Sequence, residues 1–269
     1  MKLNKPKWIF GPLLVSILFT ILACGSGTPT PLSPTDSPVP LPIETSLPTL
    51  TQPPLYLSVT LATVPMKEQG TSPNYTIDAQ VPTLQGSYDQ RVTNFNNEMN
   101  LLIQQEISVF KDNLRELIVT PISKSSSFNE KFSLLSAPGN YLSLKFEIIK
   151  YIDGSAHPST HSRTVTYNLE AGSDISLDRL FRPGNNYLPL ISNYCLAQLS
   201  PKIPDLLTAG VDPNPDNYHE WNITPNGLLI TFDENQVASY ALGPQQVVIP
   251  YTELQTIIDP QGPLASFLP

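Results

Sequence analysis

Apolar residues recur at spacings of three and four in the middle of the chain. Phe95, Met99, Leu102, Ile103, Ile107, Phe110, Leu114 and Leu117 form a single stripe. The spacing predicts a long helix from about Asp89 to Leu117, closed by Thr120-Pro121 because proline disfavours helix in the residue before it. On either side the period is two. Leu55–Val64 and Asn74–Leu84 alternate like strands, and Lys131–Ser136 with Tyr141–Ile152 read as a hairpin about the turn Pro138-Gly139-Asn140. Arg163–Leu169 is a further strand. Tyr187–Leu199 reads as a second helix, and residues 200–217, rich in Pro, Asp and Asn, as a loop. Tyr218–Thr224 and Gly227–Asp233 form another hairpin around Pro225-Asn226. Gln246–Ile249 is a last short strand, and Tyr251–Ile258, entered from Pro250, a closing helix. The order predicts an α+β fold: an antiparallel sheet with one long helix and two shorter helices packed on it.

The N-terminal pattern is of another kind. Lys2, Lys5 and Lys7 precede an apolar run from Trp8 to Ala23, which stops at Ile21-Leu22-Ala23-Cys24. A charged start, an apolar core and small residues at the junction describe a secretory signal. The last four residues resemble the lipobox of bacterial lipoproteins, in which the cysteine is acylated and becomes the mature N-terminus. Residues 1–23 are therefore expected to be a lipoprotein signal peptide and Cys24 the lipidation site, tethering the protein to the outer side of the membrane. The alternative is an uncut signal anchor, for which the apolar stretch is near the lower length limit and is interrupted by Gly11-Pro12. Residues 24–54 are dominated by Pro, Thr and Ser, have no apolar face, and are expected to be a disordered, extended spacer.

Removing residues 1–23 leaves 12 basic against 23 acidic residues, a net charge of −11. That sign argues against nucleic acid and direct adsorption to anionic lipid, and suits a basic partner. With Cys24 assigned to lipid, Cys195 is left alone in an apolar-periodic stretch, where it reads as a small buried hydrophobe. His157-Pro-Ser-Thr-His161 has histidines four apart, but Pro158 opposes a helix and no Glu follows His157 as in a zinc protease motif. A hydrogen-bonded structural histidine is the preferred reading over zinc. No Gly-x-Ser-x-Gly elbow is present, and with 23 acids chance carboxylate pairs are expected. No catalytic residue, metal site or cofactor is assigned.

Three stretches carry a resemblance. Tyr151-Ile-Asp-Gly-Ser-Ala-His-Pro158 leads into Thr166–Leu169 and Gly172–Phe181; downstream come Trp221–Asp233, Ala238–Pro244 and Val248–Tyr251. Their order and spacing are similar to the extracytoplasmic region of RsiV-type anti-sigma factors, also found in peptidoglycan deacetylases of the PdaC type. Members usually have two glycines before Ala-His, where this chain has Gly154-Ser155. The resemblance implies a small α+β PdaC-like domain over 55–125 and an RsiV C-terminal-like α+β domain over 126–269. It also implies a cell-envelope binding module for lysozyme or peptidoglycan-related ligands, without the catalytic or sigma-binding parts. The alternative is a wall-modifying hydrolase or deacetylase, with His157 and nearby acids catalytic. The expected recognition surface is the Gly154–His161 loop with Tyr240–Pro244, and its candidate binding residues are Gly154, His157, His161, Tyr240 and Gly243. Tyr151, Tyr167, Trp221 and Tyr240 are candidates for stacking on a glycan, against core packing as the alternative.

Overall fold

A computed structural model describes residues 54–115 and 125–268. The expected signal peptide, Cys24, nearly all of the expected spacer and the helix end expected at Thr120-Pro121 lie outside the described residues. No helix among those described is long and apolar enough to cross a membrane.

The two strands expected at the start form one long hairpin, β1 (Thr60–Thr71) and β2 (Asn74–Gln85), paired in register along their whole length. Leu55–Leu57 is a short 3-10 turn before it rather than the start of a strand. The predicted helix follows as α1 (Gln90–Arg115). Asp89 caps it: its Oδ1 accepts the Arg91 N–H at 2.9 Å, satisfying one of the free donors of the first turn. Among the described residues the stripe read from the sequence is buried apart from the half-buried Leu102, with Phe95, Met99, Ile103 and Phe110 at 0% exposure.

Three further strands form a meander: β3 (Ser126–Ser136), β4 (Tyr141–Tyr151) and β5 (Ser159–Asn168), with a two-residue β6 (Ser173–Asp174). The first sheet has the order β1-β2-β3-β4-β5-β6. Every neighbour is antiparallel except β2 and β3, which pair parallel over Tyr75–Asp78 and Ser126–Asn129. Parallel neighbours need a crossover, and α1 lies in that connection. Alternate residues of β2–β5 (Ile77, Ala79, Phe128, Leu144, Phe146, Ile148, Tyr167) bury against α1 as one core.

The second half builds a separate core. α2 (Leu188–Leu199) packs with a three-stranded antiparallel sheet of β7 (Trp221–Thr224), β8 (Gly227–Phe232) and β9 (Gln245–Ile249). All six residues of β8 are buried, as a strand covered on both faces requires. Gly227 approaches the Ile249 carbonyl so closely that a Cβ would overlap it. The closing helix is a single turn, α3 (Tyr251–Leu254), shorter than the expected 251–258.

The expected architecture needs one correction. There are two sheets rather than one, because β8 pairs on its two edges with β7 and β9 in a sheet of their own. Across residues 125 and 126, β2 and β3 share backbone hydrogen bonds within the six-stranded sheet. One core runs to Leu169 and the other begins at Leu177. Side-chain bonds join the layers. Asn222 Nδ2 donates to Ser143 Oγ at 3.0 Å and to the Leu144 carbonyl at 2.9 Å, and the Ile223 N–H reaches the same Oγ at 2.9 Å. Trp221 N–H donates to Thr164 Oγ1 at 2.9 Å. These donors are buried, so losing an acceptor would cost their desolvation.

Candidate functional site

The loop between β4 and β5 begins with a turn closed by the Ser155 N–H on the Ile152 carbonyl at 2.9 Å. Gly154 has φ +89° at its third position, the geometry of a type II turn, and the space beside it is open, so the backbone conformation alone calls for glycine. Gly243, at φ +64°, ends the short 3-10 turn Tyr240–Leu242 in the same way. These two turns meet. The His157 and Tyr240 rings stack at 3.6 Å between centroids and 20° between planes, and Tyr240 Oη donates to the Pro158 carbonyl at 2.7 Å. His157 is exposed, and Leu242 beside Tyr240 is 53% exposed. The result is a small aromatic and aliphatic platform.

The segment after β8 holds β5 in place. Asp233 Oδ1 accepts the Ser162 N–H at 2.8 Å, and Glu234 Oε2 accepts the Thr160 N–H at 3.0 Å. With the Tyr240 bond this makes three contacts over five residues, so the platform rests on a braced strand.

His161 turns away from it. Its Nε2 donates to Glu106 Oε2 at 3.0 Å, on the α1 side of the sheet. Lys150 Nζ donates to the same oxygen at 2.8 Å, and Arg163 Nε to Oε1 at 2.8 Å. Burial pushes the Glu106 carboxyl up, but the hydrogen bonds from His161 and Lys150 and the Lys150 charge outweigh it and hold the group well below the usual range. Arg163 reaches on to the buried Glu220 at 3.2 Å, with His219 at 3.6 Å from the same oxygen. Burial pushes Glu220 up, and His219 and Arg163 pull it back. This charged chain ties α1, β4, β5 and the start of β7 together. Sequence reasoning missed it, although one signal was present: Glu106 is three residues from Ile103 and seven from Met99, a carboxylate on the apolar stripe.

The structure therefore brings Gly154, His157, Tyr240 and Gly243 together and commits His161 elsewhere. Of the other stacking candidates, Tyr167 is fully buried edge-on to Phe95 and Trp221 is 6% exposed, so both are core. Cys195 is fully buried, and burial pushes its thiol up to about 12, which leaves no thiolate for nucleophilic work. Among the described residues no group of three or more His, Cys, Asp or Glu side chains is arranged to hold a metal ion.

Two solved structures share the fold. One, a DUF3298 family member from Bacteroides fragilis, superposes with a TM-score of 0.60 at 13% identity, covering 78% of this chain and 96% of that one. Another, a DUF3298 family protein from Pseudomonas aeruginosa, gives 0.51 at 14% identity, covering 75% and 95%. Among curated proteins, the chain is 25% identical over 164 residues to the peptidoglycan-N-acetylmuramic acid deacetylase PdaC of Bacillus subtilis, covering 59% of this chain and 35% of that protein. It is 30% identical over 101 residues to the esterase Rv3036c of Mycobacterium tuberculosis, covering 36% of this chain and 44% of that one. The chain thus spans less than half the length of these relatives. Residues 178–252, from the 3-10 turn before α2 to the first residues of α3, match the model of the DUF3298 family, described as a protein of unknown function.

Proposed function

We propose that this chain is a binding module of the cell envelope, held outside the cytoplasm by lipid on Cys24, and that it recognises peptidoglycan. The observation that carries the reading is the braced His157–Tyr240 stack. An exposed His157 ring stacked on the half-buried Tyr240, held by a backbone bond and flanked by glycine turns, offers a rigid apolar surface for a sugar face, at little cost in side-chain entropy. The similarity to a peptidoglycan deacetylase supports an envelope role for the shared region. A second reading, capture of lysozyme, is favoured by acidity, since the net charge of −11 left after removal of residues 1–23 would steer a basic protein toward it.

Sedimentation with insoluble peptidoglycan tests the first reading and calorimetric titration with lysozyme the second. Replacing both His157 and Tyr240 with alanine is expected to weaken wall binding about tenfold, the loss of one stacking contact. The melting temperature should stay within about 2 °C, since the rings are outside both cores. Full wall binding by the double variant would overturn the role of the platform. Hydrolysis or deacetylation of wall fragments by the purified chain would turn the reading from binding to catalysis.

A further inference from the structure

The sheet face opposite α1 is only partly covered. At Ser143 and Thr164 it is sealed by β7, as described above. Farther along, β3 and β4 present Asn129, Lys131 and Ser133 beside Ile149, Glu147 and Lys145, in register as Asn129–Ile149, Lys131–Glu147 and Ser133–Lys145. With Leu135 these residues line an open cleft of about 470 Å³, inside the range of about 300–1,000 Å³ usual for small-ligand sites.

Its lysines are unlike the others of this sheet and its helix. Lys67, Lys111 and Lys150 are each paired with a carboxylate. Among the described residues Lys131 and Lys145 make no ion pair, although Glu147 lies directly across from Lys131. Lys145 is half-buried in the cleft wall. Burial lowers its pKa, while the charges of Glu147, Asp233 and Glu220 pull it back up. A desolvated ammonium without a bonded partner gains more from an incoming anion than a hydrated one does. Lys131 and Lys145 are diagonal neighbours on the same face, with Cβ atoms within about 8 Å in such a pair, so both can reach one anionic group.

We propose that this cleft binds the carboxylate of an acidic amino sugar. Lys145 and Lys131 would hold the carboxylate, Asn129, Ser133 and Glu147 would bond its hydroxyl and amide groups, and Ile149 and Leu135 would meet its apolar edge. The inference rests on the peptidoglycan reading and narrows it to glycan freed of its stem peptide, where the lactyl carboxylate, an amide in the intact polymer, is ionised and separates N-acetylmuramic acid from N-acetylglucosamine.

The test is an NMR titration of the full chain with each of the two sugars, alongside its variants Lys145→Met and Lys131→Gln. The wild-type chain is expected to bind N-acetylmuramic acid about tenfold more tightly than N-acetylglucosamine, the effect of one charge-assisted bond. Shifts should be centred on β3 and β4, and Lys145→Met should abolish the preference while leaving the weaker binding of N-acetylglucosamine in place. Equal binding of the two sugars, or a preference that survives both variants, overturns the inference even where insoluble peptidoglycan is still retained. Binding of neither sugar, together with no retention on peptidoglycan, overturns the functional reading along with it.

Discussion

Glu130 on β3 is a carboxyl at 1% exposure whose Oε2 accepts the Gln80 N–H at 2.8 Å. Its other oxygen is buried with no partner among the described residues. Burial pushes it from 4.5 up to about 7, with the Gln80 bond pulling the other way. The consequence for stability has a definite sign. Below pH 4.5 both the folded and the unfolded chain hold the proton, and there is no penalty. Between 4.5 and about 7 the unfolded chain has released it and the folded chain has not, so stability falls as pH rises. Above about 7 the loss is constant, and the pKa gap converts to ~3 kcal/mol. Glutamine in its place keeps the acceptor for Gln80 and does not titrate. Any fixed cost of its NH₂ group is the same at all pH, and Glu98, also raised to about 7 by burial and Asp174, titrates in both proteins. Urea unfolding of wild type and Glu130→Gln at pH 4 and pH 8, followed by Trp221 fluorescence with equal m-values, isolates the term. Between the two pH values the stability difference should move by ~3 kcal/mol in favour of the variant. A difference unchanged within about 0.5 kcal/mol would refute the burial argument.

The Glu106 cluster and Cys195 give two more tests. Glu106→Gln leaves Lys150, His161 and Arg163 facing one uncharged group and should cost ~3 kcal/mol at pH 7 in the same urea assay. Because the folded Glu106 pKa lies below 4.5, that contribution is present above pH 4.5 and disappears on acidification, so the variants should converge there. A loss under about 1 kcal/mol at pH 7 would show the cluster to be solvated. In a Cys24→Ser background, Cys195 should react with a thiol reagent only at the rate of unfolding, and immediate stoichiometric labelling of the folded chain would contradict its burial.

Local pattern made much of this fold legible. The α1 stripe, the Pro138–Asn140 hairpin and the Thr224–Gly227 turn are encoded in residues a few positions apart, and the structure places them close to where the spacing does. The parallel seam between β2 and β3 was not legible, because it joins Tyr75–Asp78 to Ser126–Asn129 across a whole helix and no short-range signal sets such a register. The division into two sheets was hidden for a similar reason. The uniformly apolar Gly227–Phe232 marks a strand covered on both faces, but not which sheet covers it. At the candidate site, the glycine turns and His157-Pro158 marked the loop that the structure brings against Tyr240. What pairs with each histidine depended on contacts 83 and 55 residues away, Tyr240 for one and Glu106 for the other.

The bracing of β5 by Asp233 and Glu234 also bears on how this protein avoids its own kind. Thr160 and Ser162 of β5 direct their N–H groups outward, along the edge left free beyond the short β6. An exposed edge of that sort is a template on which a second chain can add a strand. Here the Thr160 and Ser162 donors are already occupied by carboxylates, and Thr164 is engaged through its hydroxyl by the start of β7. An approaching strand would find the Thr160 and Ser162 donors taken and two acidic side chains in its path. The contacts that fix the platform thereby block this stretch of the edge against self-association, which matters for a molecule proposed to be held beside its own copies on a membrane surface.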